Sequence, residues 1–514
     1  MRQDKYLAKA EKLANVILAG QGLFCIIASL YYIYYYSWTH QRYFSGQVGP
    51  IVYEVLPLVM ACLLFASLLL RPSHKVNFVL ILVAIAVSIK GVDLLLAFSD
   101  SMSLGERTKA KAKAAQELGV YFDTRSKLEV IADLHKQGIS ASPVISPSIL
   151  LTRQVSGILK SAITLSSTEV LPLAGIADKV TVLCNESGEY SIYESDEHGF
   201  QNPRGSWKAG HIDIAALGDS FTIGACVPSD KNFVALIRRH WPATLNLGSF
   251  GIGPLIELAI FREYAQFMKP KVVLWCYYEE NDLEDLRREK DSALLMRYVE
   301  SDSIQGLLAR QTDIDYALTA YVDMAKNASR PPSAHSWLSR VKGVFKLAHL
   351  RQHLGLSLGS NYGGTSADQS GISEAELNLF RTVLLRVQAS VSAWGGKLYF
   401  VYLPQWQRYA GPEITNSHRQ QILMLVRNIG FPVIDIHLVF QAQKDPVALF
   451  PWRLGGGHYT EVGNQLVAEE ILRSITPVAE SVQPAGAVSH GKEAPAEPYK
   501  FKKNALRKRQ PARL

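Results

Sequence analysis

Charged residues are scarce in this chain, and its excess of cations is confined to one end. Asp, Glu, Lys and Arg make up 19% of the 514 residues, whereas soluble proteins hold about 25%. The net charge is +8, but the segment from Lys492 to Leu514 carries eight Lys and Arg against two Glu. The remainder is close to neutral, so we expect no nucleic-acid partner. The low charge indicates membrane segments, and the length allows two or three structural units.

Cysteine is also rare. The chain has five cysteines without the paired Cys and His spacing of a zinc site, so we expect no metal and no other cofactor. Cys25 and Cys62 lie in apolar runs, and Cys276 lies in a strand-like run that should be buried. Outside the cytoplasm two cysteines could pair. Cys184 and Cys226 are the pair that we expect, although spacing alone does not establish a disulfide.

Long apolar runs fill the first hundred residues. They cover Asn15–Ser37, Pro50–Leu70 and Val76–Phe98, and each reaches the ~20 residues that a helix needs to cross a bilayer. A cleaved signal peptide fits less well, because the first run is long and lacks a small-residue cleavage site. We therefore predict three transmembrane helices over residues 1–99.

The distribution of Lys and Arg around these runs predicts the orientation. Cations precede the first run, and Arg71 and Lys75 lie between the second and third, which places the N-terminus in the cytoplasm. Three crossings then put the rest of the chain on the periplasmic or extracytoplasmic side of the plasma membrane. The cations from Arg107 to Lys113 argue for the opposite orientation, but charges that lead into a long translocated domain count for less.

The remaining chain divides into three regions. Residues 100–180 have a helix-forming composition, which predicts a helical linker. Residues 181–478 alternate strand-like and helix-like segments, which predicts an α/β domain with a parallel sheet, interrupted by an insertion at about residues 285–375. Residues 479–514 are rich in Pro and Ala and then basic, which is typical of a disordered tail.

One short stretch raises the question of chemistry. Gly218, Asp219 and Ser220 follow the apolar run Ile212–Leu217. Ser220 can be a nucleophile at a strand-to-helix turn, or Asp219 and Ser220 can serve only as a helix cap, since both are common at that position. The tripeptide alone does not decide between these interpretations.

Four blocks taken together favour the first interpretation. They contain Ser220 in Gly-Asp-Ser, Gly251 in a Gly-rich turn, Asn281 in an Asn-Asp pair and His458 near the C-terminus. In this order they resemble the SGNH, or GDSL-type, hydrolase family over about residues 210–475. The resemblance implies a three-layer, doubly wound parallel sheet of the flavodoxin-like kind, preceded in this chain by the transmembrane helices. The segment from Cys184 to Pro203 more loosely resembles the lead-in of membrane-anchored bacterial envelope members.

The resemblance assigns roles to these residues. Ser220 would be the catalytic nucleophile, and His458 the base that removes its proton. The backbone N–H groups of Ser220 and Gly251 and the side chain of Asn281 would form the oxyanion hole. Each residue also has an ordinary interpretation: Gly251 as a tight turn, Asn281 as a helix start and His458 as a surface histidine.

Two positions depart from the family pattern. The family places an Asp three residues before the His, where this chain has Gly455. The site would then be a Ser–His dyad, or another carboxylate would orient the imidazole, with Asp435 and Asp445 as candidates. The family also places a Gly two residues before the Asn, where this chain has Glu279. Glu280 follows it, and we expect both Glu side chains either to face away from the oxyanion or to select a cationic or hydroxyl-rich substrate.

Three functions are consistent with this pattern. The first is a membrane-anchored serine esterase or deacylase that acts on a small ester or on acylated carbohydrate of the envelope, such as exopolysaccharide. The second is a polysaccharide O-acyltransferase of the same fold, which would need a separate donor protein from the envelope polysaccharide machinery. The third is a non-catalytic glycan-binding or assembly protein. All three place the chain in contact with the lipid bilayer.

Overall fold

The computed structural model describes residues 2–34, 55–154, 157–328, 372–410, 417–454 and 457–479. The predicted basic tail beyond Ala479 lies outside the described residues, as does much of the predicted insertion, from residue 329 to residue 371.

The N-terminal region is helical. Helices α1 (Arg2–Tyr32), α2 (Leu56–Ser67) and α3 (Pro72–Glu117) pack together, with α1 against both of the others. Two segments are long and apolar enough to cross a membrane, Ala8–Tyr31 in α1 and Pro72–Asp93 in α3. In the described residues the second apolar run forms only the twelve-residue α2. Length and composition therefore support two of the three predicted spans.

Residues 100–180 hold more strand than the helical linker that the sequence predicts. After α3 comes α4 (Lys127–Lys136), which begins with a capping box between Ser126 and Glu129. The small sheet that follows joins β1 (Ala141–Pro143) to the hairpin of β6 (Val180–Val182) and β7 (Ile192–Glu194). Because β1 pairs with β6, the expected boundary at residue 181 cuts through a sheet. Two short hairpins lie between, with strands β2 (Leu151–Arg153), β3 (Leu159–Ser161), β4 (Thr164–Leu165) and β5 (Thr168–Glu169).

A five-stranded parallel sheet forms the centre of the larger domain. Its strands are β8 (Ile214–Gly218), β9 (Thr244–Asn246), β10 (Val272–Tyr278), β11 (Lys397–Leu403) and β12 (Val433–Asp435). They lie in the order β12-β11-β10-β8-β9, and all neighbours are parallel. Counted along the chain, this order is 2-1-3-4-5. The prediction of an α/β domain with a parallel sheet is confirmed.

Helices cover both faces of this sheet because alternate strand residues point to opposite sides. The helices after α4 are α5 (Pro147–Leu150), α6 (Ser220–Ile223), α7 (Phe233–Arg238), α8 (Pro254–Ile260), α9 (Gln266–Met268), α10 (Asp282–Glu289), α11 (Ala293–Glu300), α12 (Gln311–Ala328), α13 (Glu374–Ala393), α14 (Gln407–Ala410), α15 (Ser417–Ile429), α16 (Ile436–Gln441) and α17 (Glu461–Ala479). In β8, Ala215 and Leu217 face one core, and Ile214 and Ala216 face the other. The first core includes residues of α8, α13 and α15, and the second includes residues of α7, α16 and α17.

The carboxyl ends of β8, β9 and β10 bring three loops together. The chain moves from β8 to β9 on one side and to β10 on the other, and such a switch point opens a crevice at the strand ends. Asn246 ties two of the loops together, since its side-chain amide donates to the Thr222 carbonyl and accepts from the Gly248 N–H. A Cβ on Gly248 would lie only 2.3 Å from the backbone nitrogen of Ile223.

We expect Gly248→Ala to lower the free energy of unfolding by about 1–3 kcal/mol, because the new methyl group forces two backbones apart. Chemical unfolding of the purified full chain measures the change. A variant that unfolds at the wild-type denaturant concentration would contradict the close approach.

Candidate active site

Ser220 lies directly after β8, at the start of α6. Asp219 is the N-cap of this helix, and its carboxylate accepts a hydrogen bond of 2.9 Å from the Phe221 N–H. The Ser220 hydroxyl is free of that role and lies 2.9 Å from Nε2 of His458. The two interpretations of the tripeptide thus apply to neighbouring residues: Asp219 caps the helix, and Ser220 faces an imidazole.

His458 comes from the loop before α17 and is held on three sides. Its backbone N–H donates to the Glu186 carboxylate over 2.7 Å. The Phe221 ring lies 4.7 Å from the imidazole between ring centroids, and the Phe250 ring lies at 6.0 Å. These contacts fix the orientation of the imidazole.

Glu186 is the carboxylate that faces this imidazole. Both of its oxygens lie 3.2 Å from Nδ1 of His458. An ionised carboxylate can only accept hydrogen bonds, so it requires the proton on Nδ1 and leaves the Nε2 lone pair for the Ser220 hydroxyl. Ser220, His458 and Glu186 therefore form a continuous hydrogen-bonded chain with the order of a catalytic triad.

The charges of His458 and Glu186 within this hydrogen-bonded series stabilise each other. Burial opposes the charged form of His458, but the adjacent Glu186 carboxylate outweighs burial and raises the pKa of the imidazole above its ordinary value. Burial likewise opposes ionisation of Glu186, but the charge and hydrogen bonds of His458 outweigh it and lower the pKa of that carboxyl. The pair therefore favours an ionised Glu186 and a basic imidazole.

Glu186 reaches the site from the small sheet and not from the larger one. It lies in the loop that joins β6 to β7, and its carbonyl accepts a hydrogen bond of 2.5 Å from the Trp452 indole. The predicted disulfide between Cys184 and Cys226 is present and ties this loop to the chain that follows α6. That disulfide is also the signal in the sequence that could have found Glu186, which lies two residues from Cys184.

The two carboxylates proposed from the sequence lie elsewhere, which corrects that expectation. Asp435 caps α16 and pairs with Arg419. Asp445 pairs with Arg453. Each is neutralised by an arginine near it in the chain, and the carboxylate beside the imidazole is Glu186. The position of Gly455, where the family has its Asp, lies outside the described residues.

The predicted oxyanion donors lie at the ends of the adjacent strands. Gly251 adopts a left-handed backbone, with φ of +63°, in the turn after β9. Among the described residues, no protein acceptor pairs with the backbone N–H of Ser220 or of Gly251. Asn281 is the N-cap of α10, and its amide nitrogen donates to Asp285 over 3.1 Å. The two backbone N–H groups are thus available to an oxyanion, whereas the Asn281 amide must exchange a protein partner for it.

Glu279 does not face this crevice, which agrees with one of the two expectations for it. Its side chain forms an ion pair with Arg408 and accepts from the Gln405 N–H over 3.2 Å. Its negative charge is therefore compensated at the end of β11.

The donor atoms around the imidazole do not suit a metal ion. One ligand atom each of Glu186, Cys226 and His458 lie within 4.8 Å of one another. The sulfur of Cys226 is bonded to Cys184, however, so it offers no thiolate.

Neither a family model nor a curated protein sequence matches the chain. Several solved structures are similar to it. A G-D-S-L-family lipolytic protein from Desulfitobacterium hafniense has 13% identity and a TM-score of 0.28, with 51% of this chain and 99% of that chain covered. A member of the same family from Veillonella parvula has 12% identity and a TM-score of 0.27, with 52% and 100% covered. A lipase/acylhydrolase from Enterococcus faecalis has 13% identity and a TM-score of 0.29, with 54% and 100% covered.

Near Asp219 and Ser220 lies a group of buried carboxyls. Both carboxyl oxygens of Glu257 and one of Asp282 lack a hydrogen-bond partner within the described part of the chain. Burial, reinforced by the neighbouring carboxylates, raises the pKa of both groups well above its ordinary value. Burial also raises the pKa of Glu289 to about 8 and that of Asp285 to about 6. Several of these groups are therefore protonated in the folded protein near neutral pH.

These carboxyls should make the fold less stable as the pH rises. A carboxyl with a higher pKa in the folded than in the unfolded state binds its proton more tightly when folded. The stability that this gives is complete below the ordinary carboxyl pKa and is lost as the pH rises towards the folded value. For Asp285 and Glu289 together, the loss spans about pH 4 to about pH 8.

We expect Glu257→Gln to lose less stability than the wild type as the pH rises, because a neutral amide needs no proton to remain buried. Thermal unfolding of the full chain at about pH 5 and about pH 8 measures the difference. Glu469→Gln, at an exposed position of α17, is the matched control. Equal pH dependence in Glu257→Gln and the wild type would contradict a protonated Glu257.

Proposed function

We propose that this chain is a serine hydrolase of the SGNH type that cleaves carboxylic esters through a Ser220–His458–Glu186 triad. One observation carries the proposal: the Ser220 hydroxyl lies 2.9 Å from Nε2 of His458, while Nδ1 of the same imidazole faces the Glu186 carboxylate. A serine hydroxyl is a weak nucleophile unless a base removes its proton, and this arrangement supplies the base in the required tautomer.

The reaction has two halves. In the first, Ser220 Oγ attacks the ester carbonyl carbon while His458 Nε2 takes the hydroxyl proton, and the imidazolium returns that proton to the departing alcohol. In the second, the imidazole takes a proton from water, which attacks the acyl carbon of the acyl-enzyme. The bond to Ser220 Oγ then breaks, the imidazolium returns the proton to that oxygen, and the acid is released. Glu186 stays ionised and stabilises the imidazolium formed in each half.

Two fixed donors support the tetrahedral intermediates. The N–H groups of Ser220 and Gly251 belong to loops that are joined to each other, since the Ser249 N–H donates to the Gly218 carbonyl over 3.1 Å. Asn281 supplies a third donor when its amide turns from Asp285 towards the oxyanion. Losing one such donor typically raises the barrier by about 3 kcal/mol.

Two further features support an extracytoplasmic location for the α/β domain. A disulfide persists in an oxidising compartment, so the Cys184–Cys226 bond favours the outer side of the membrane for the α/β domain. Helix α3 runs from a candidate span directly to this domain, and its Lys111 acts electrostatically on Glu186. A tethered site of this kind suits a substrate that is itself held in the envelope, and we propose acylated envelope glycan as its substrate.

We expect a fluorophosphonate probe to label the wild type and to leave Ser220→Ala unlabelled, because only an activated hydroxyl attacks the phosphorus. His458→Ala should label much more slowly, since the base is lost. Gel fluorescence and peptide mapping of the full chain in detergent measure both results. Equal labelling of Ser220→Ala would remove Ser220 from the mechanism.

We expect Glu186→Gln to lower kcat on p-nitrophenyl acetate by about 10³-fold or more, because the amide leaves the imidazolium without a counter-charge. Asp445→Asn is the matched control and should stay within about twofold of the wild type, since Asp445 pairs with Arg453 away from the imidazole. Loss of activity in Asp445→Asn with full activity in Glu186→Gln would reverse the assignment.

A further inference from the structure

The Cys184–Cys226 disulfide joins the two segments that carry the acid and the nucleophile. Cys184 lies two residues before Glu186, in the loop between β6 and β7. Cys226 follows α6, the short helix that begins with Ser220. The bond therefore links the Glu186 loop to the nucleophile turn, which belong to different sheets.

The disulfide also contacts the imidazole. The sulfur of Cys226 lies 3.9 Å from Nδ1 of His458, the same nitrogen that faces Glu186. Cys226 is 3% exposed, and its carbonyl accepts a hydrogen bond of 3.1 Å from the Ser187 hydroxyl, next to Glu186. The disulfide therefore packs against one side of the Glu186–His458 contact.

Other contacts hold the two ends of the same loop. At the strand end, the Ser191 N–H donates to the Cys184 carbonyl over 2.8 Å. At the tip, the Asn185 amide donates to the Asp123 carbonyl over 2.9 Å, and Trp452 donates to the Glu186 carbonyl. These bonds would keep the loop folded without the disulfide. Three links join the loop to the nucleophile segment: the disulfide, the Ser187 hydrogen bond and a bond of 2.7 Å from the Ser191 hydroxyl to the Val227 carbonyl. The disulfide is the covalent one and lies nearest to Glu186 in the chain.

We propose that the Cys184–Cys226 disulfide is a positioning element of the triad: it holds the Glu186 carboxylate against His458, and its reduction reversibly lowers activity in a folded protein. The proposal rests on the function proposed above. A displacement of about 1 Å in a reacting geometry can cost about 10²-fold in rate, so a small shift of the loop is sufficient.

Reduction needs a dithiol, which supplies two electrons and two protons. One reductant thiolate attacks a protein sulfur and forms a mixed disulfide, which releases the other cysteine as a thiolate. The second thiol of the reductant then attacks the mixed disulfide, which forms the cyclic disulfide of the reductant and releases the remaining cysteine. The protein gains two thiols, and the reductant becomes a cyclic disulfide.

A positioning role predicts a shift in the pH profile. When Glu186 moves away, the pKa of His458 falls, and the acid limb of kcat/KM moves to lower pH. The other charged groups that act on His458 are Asp219, beside the nucleophile, and Lys111 of α3. Asp219 is held by its own hydrogen bond from the Phe221 N–H, and Lys111 lies in α3. Loss of the disulfide should therefore move the limb in the same direction as Glu186→Gln.

The experiment compares four full-length proteins in detergent: the wild type, Cys184→Ser/Cys226→Ser, Glu186→Gln and the triple variant. We expect the double serine variant to lose about 10²-fold in kcat on p-nitrophenyl acetate while KM stays within about twofold. Its acid limb should shift as in Glu186→Gln. The triple variant should lose no more activity than Glu186→Gln, because both changes act through one contact.

Reduction of the folded protein provides an independent measurement if the double serine variant misfolds. Treatment with a dithiol should lower kcat of the wild type, and reoxidation should restore it. Cys25→Ser/Cys62→Ser, which removes two cysteines of the N-terminal helices, should respond in the same way as the wild type.

If Glu186→Gln is impaired, any one of three results would overturn the positioning role. They are full activity without the disulfide, an acid limb at the wild-type pH in the double serine variant, and a loss of activity in the triple variant that equals the product of the losses in its two parent variants. In each case the proposed function stands and the disulfide serves only stability. Full activity in Glu186→Gln would instead show that the proposed triad is at fault.

Discussion

The contact between the His458 imidazole and the Glu186 carboxylate is the interaction on which the rest of the site depends. It sets the tautomer of the imidazole and therefore decides which nitrogen faces Ser220. The contact joins two parts of the chain that are 272 residues apart. It also explains why the small sheet of β1, β6 and β7 belongs to the functional unit, since that sheet carries the acid.

The α/β core and the position of Ser220 at a strand end could be predicted from local patterns. Alternating apolar strands and helices give the parallel sheet, because burial on both faces needs continuous apolar strands. Ser220 could be placed because it follows a strand end in Gly-Asp-Ser, and His458 because it precedes a helix near the C-terminus as the last of the four blocks. Cys184 and Cys226 were also the expected pair, since Cys276 lies in a strand-like run that should be buried, and the structure contains their disulfide.

Glu186 could not be found in the same way. It lies in the Cys184–Pro203 segment, but none of the four blocks contains it, and the expectation of an acid near the histidine in sequence drew attention to Asp435 and Asp445. Proximity in sequence failed because the larger domain uses those carboxylates to pair with Arg419 and Arg453. The acid comes instead from a hairpin loop of another sheet, which only long-range packing brings to the site.

The Glu186 contact decides where one proton resides, and ¹⁵N NMR of histidine-labelled protein tests this directly. The His458 resonances can be assigned by their loss in His458→Gln. We expect the neutral imidazole to carry its proton on Nδ1 and to titrate with a pKa above the ordinary histidine value. A proton on Nε2, or an imidazole that titrates as a free histidine, would contradict the proposed triad.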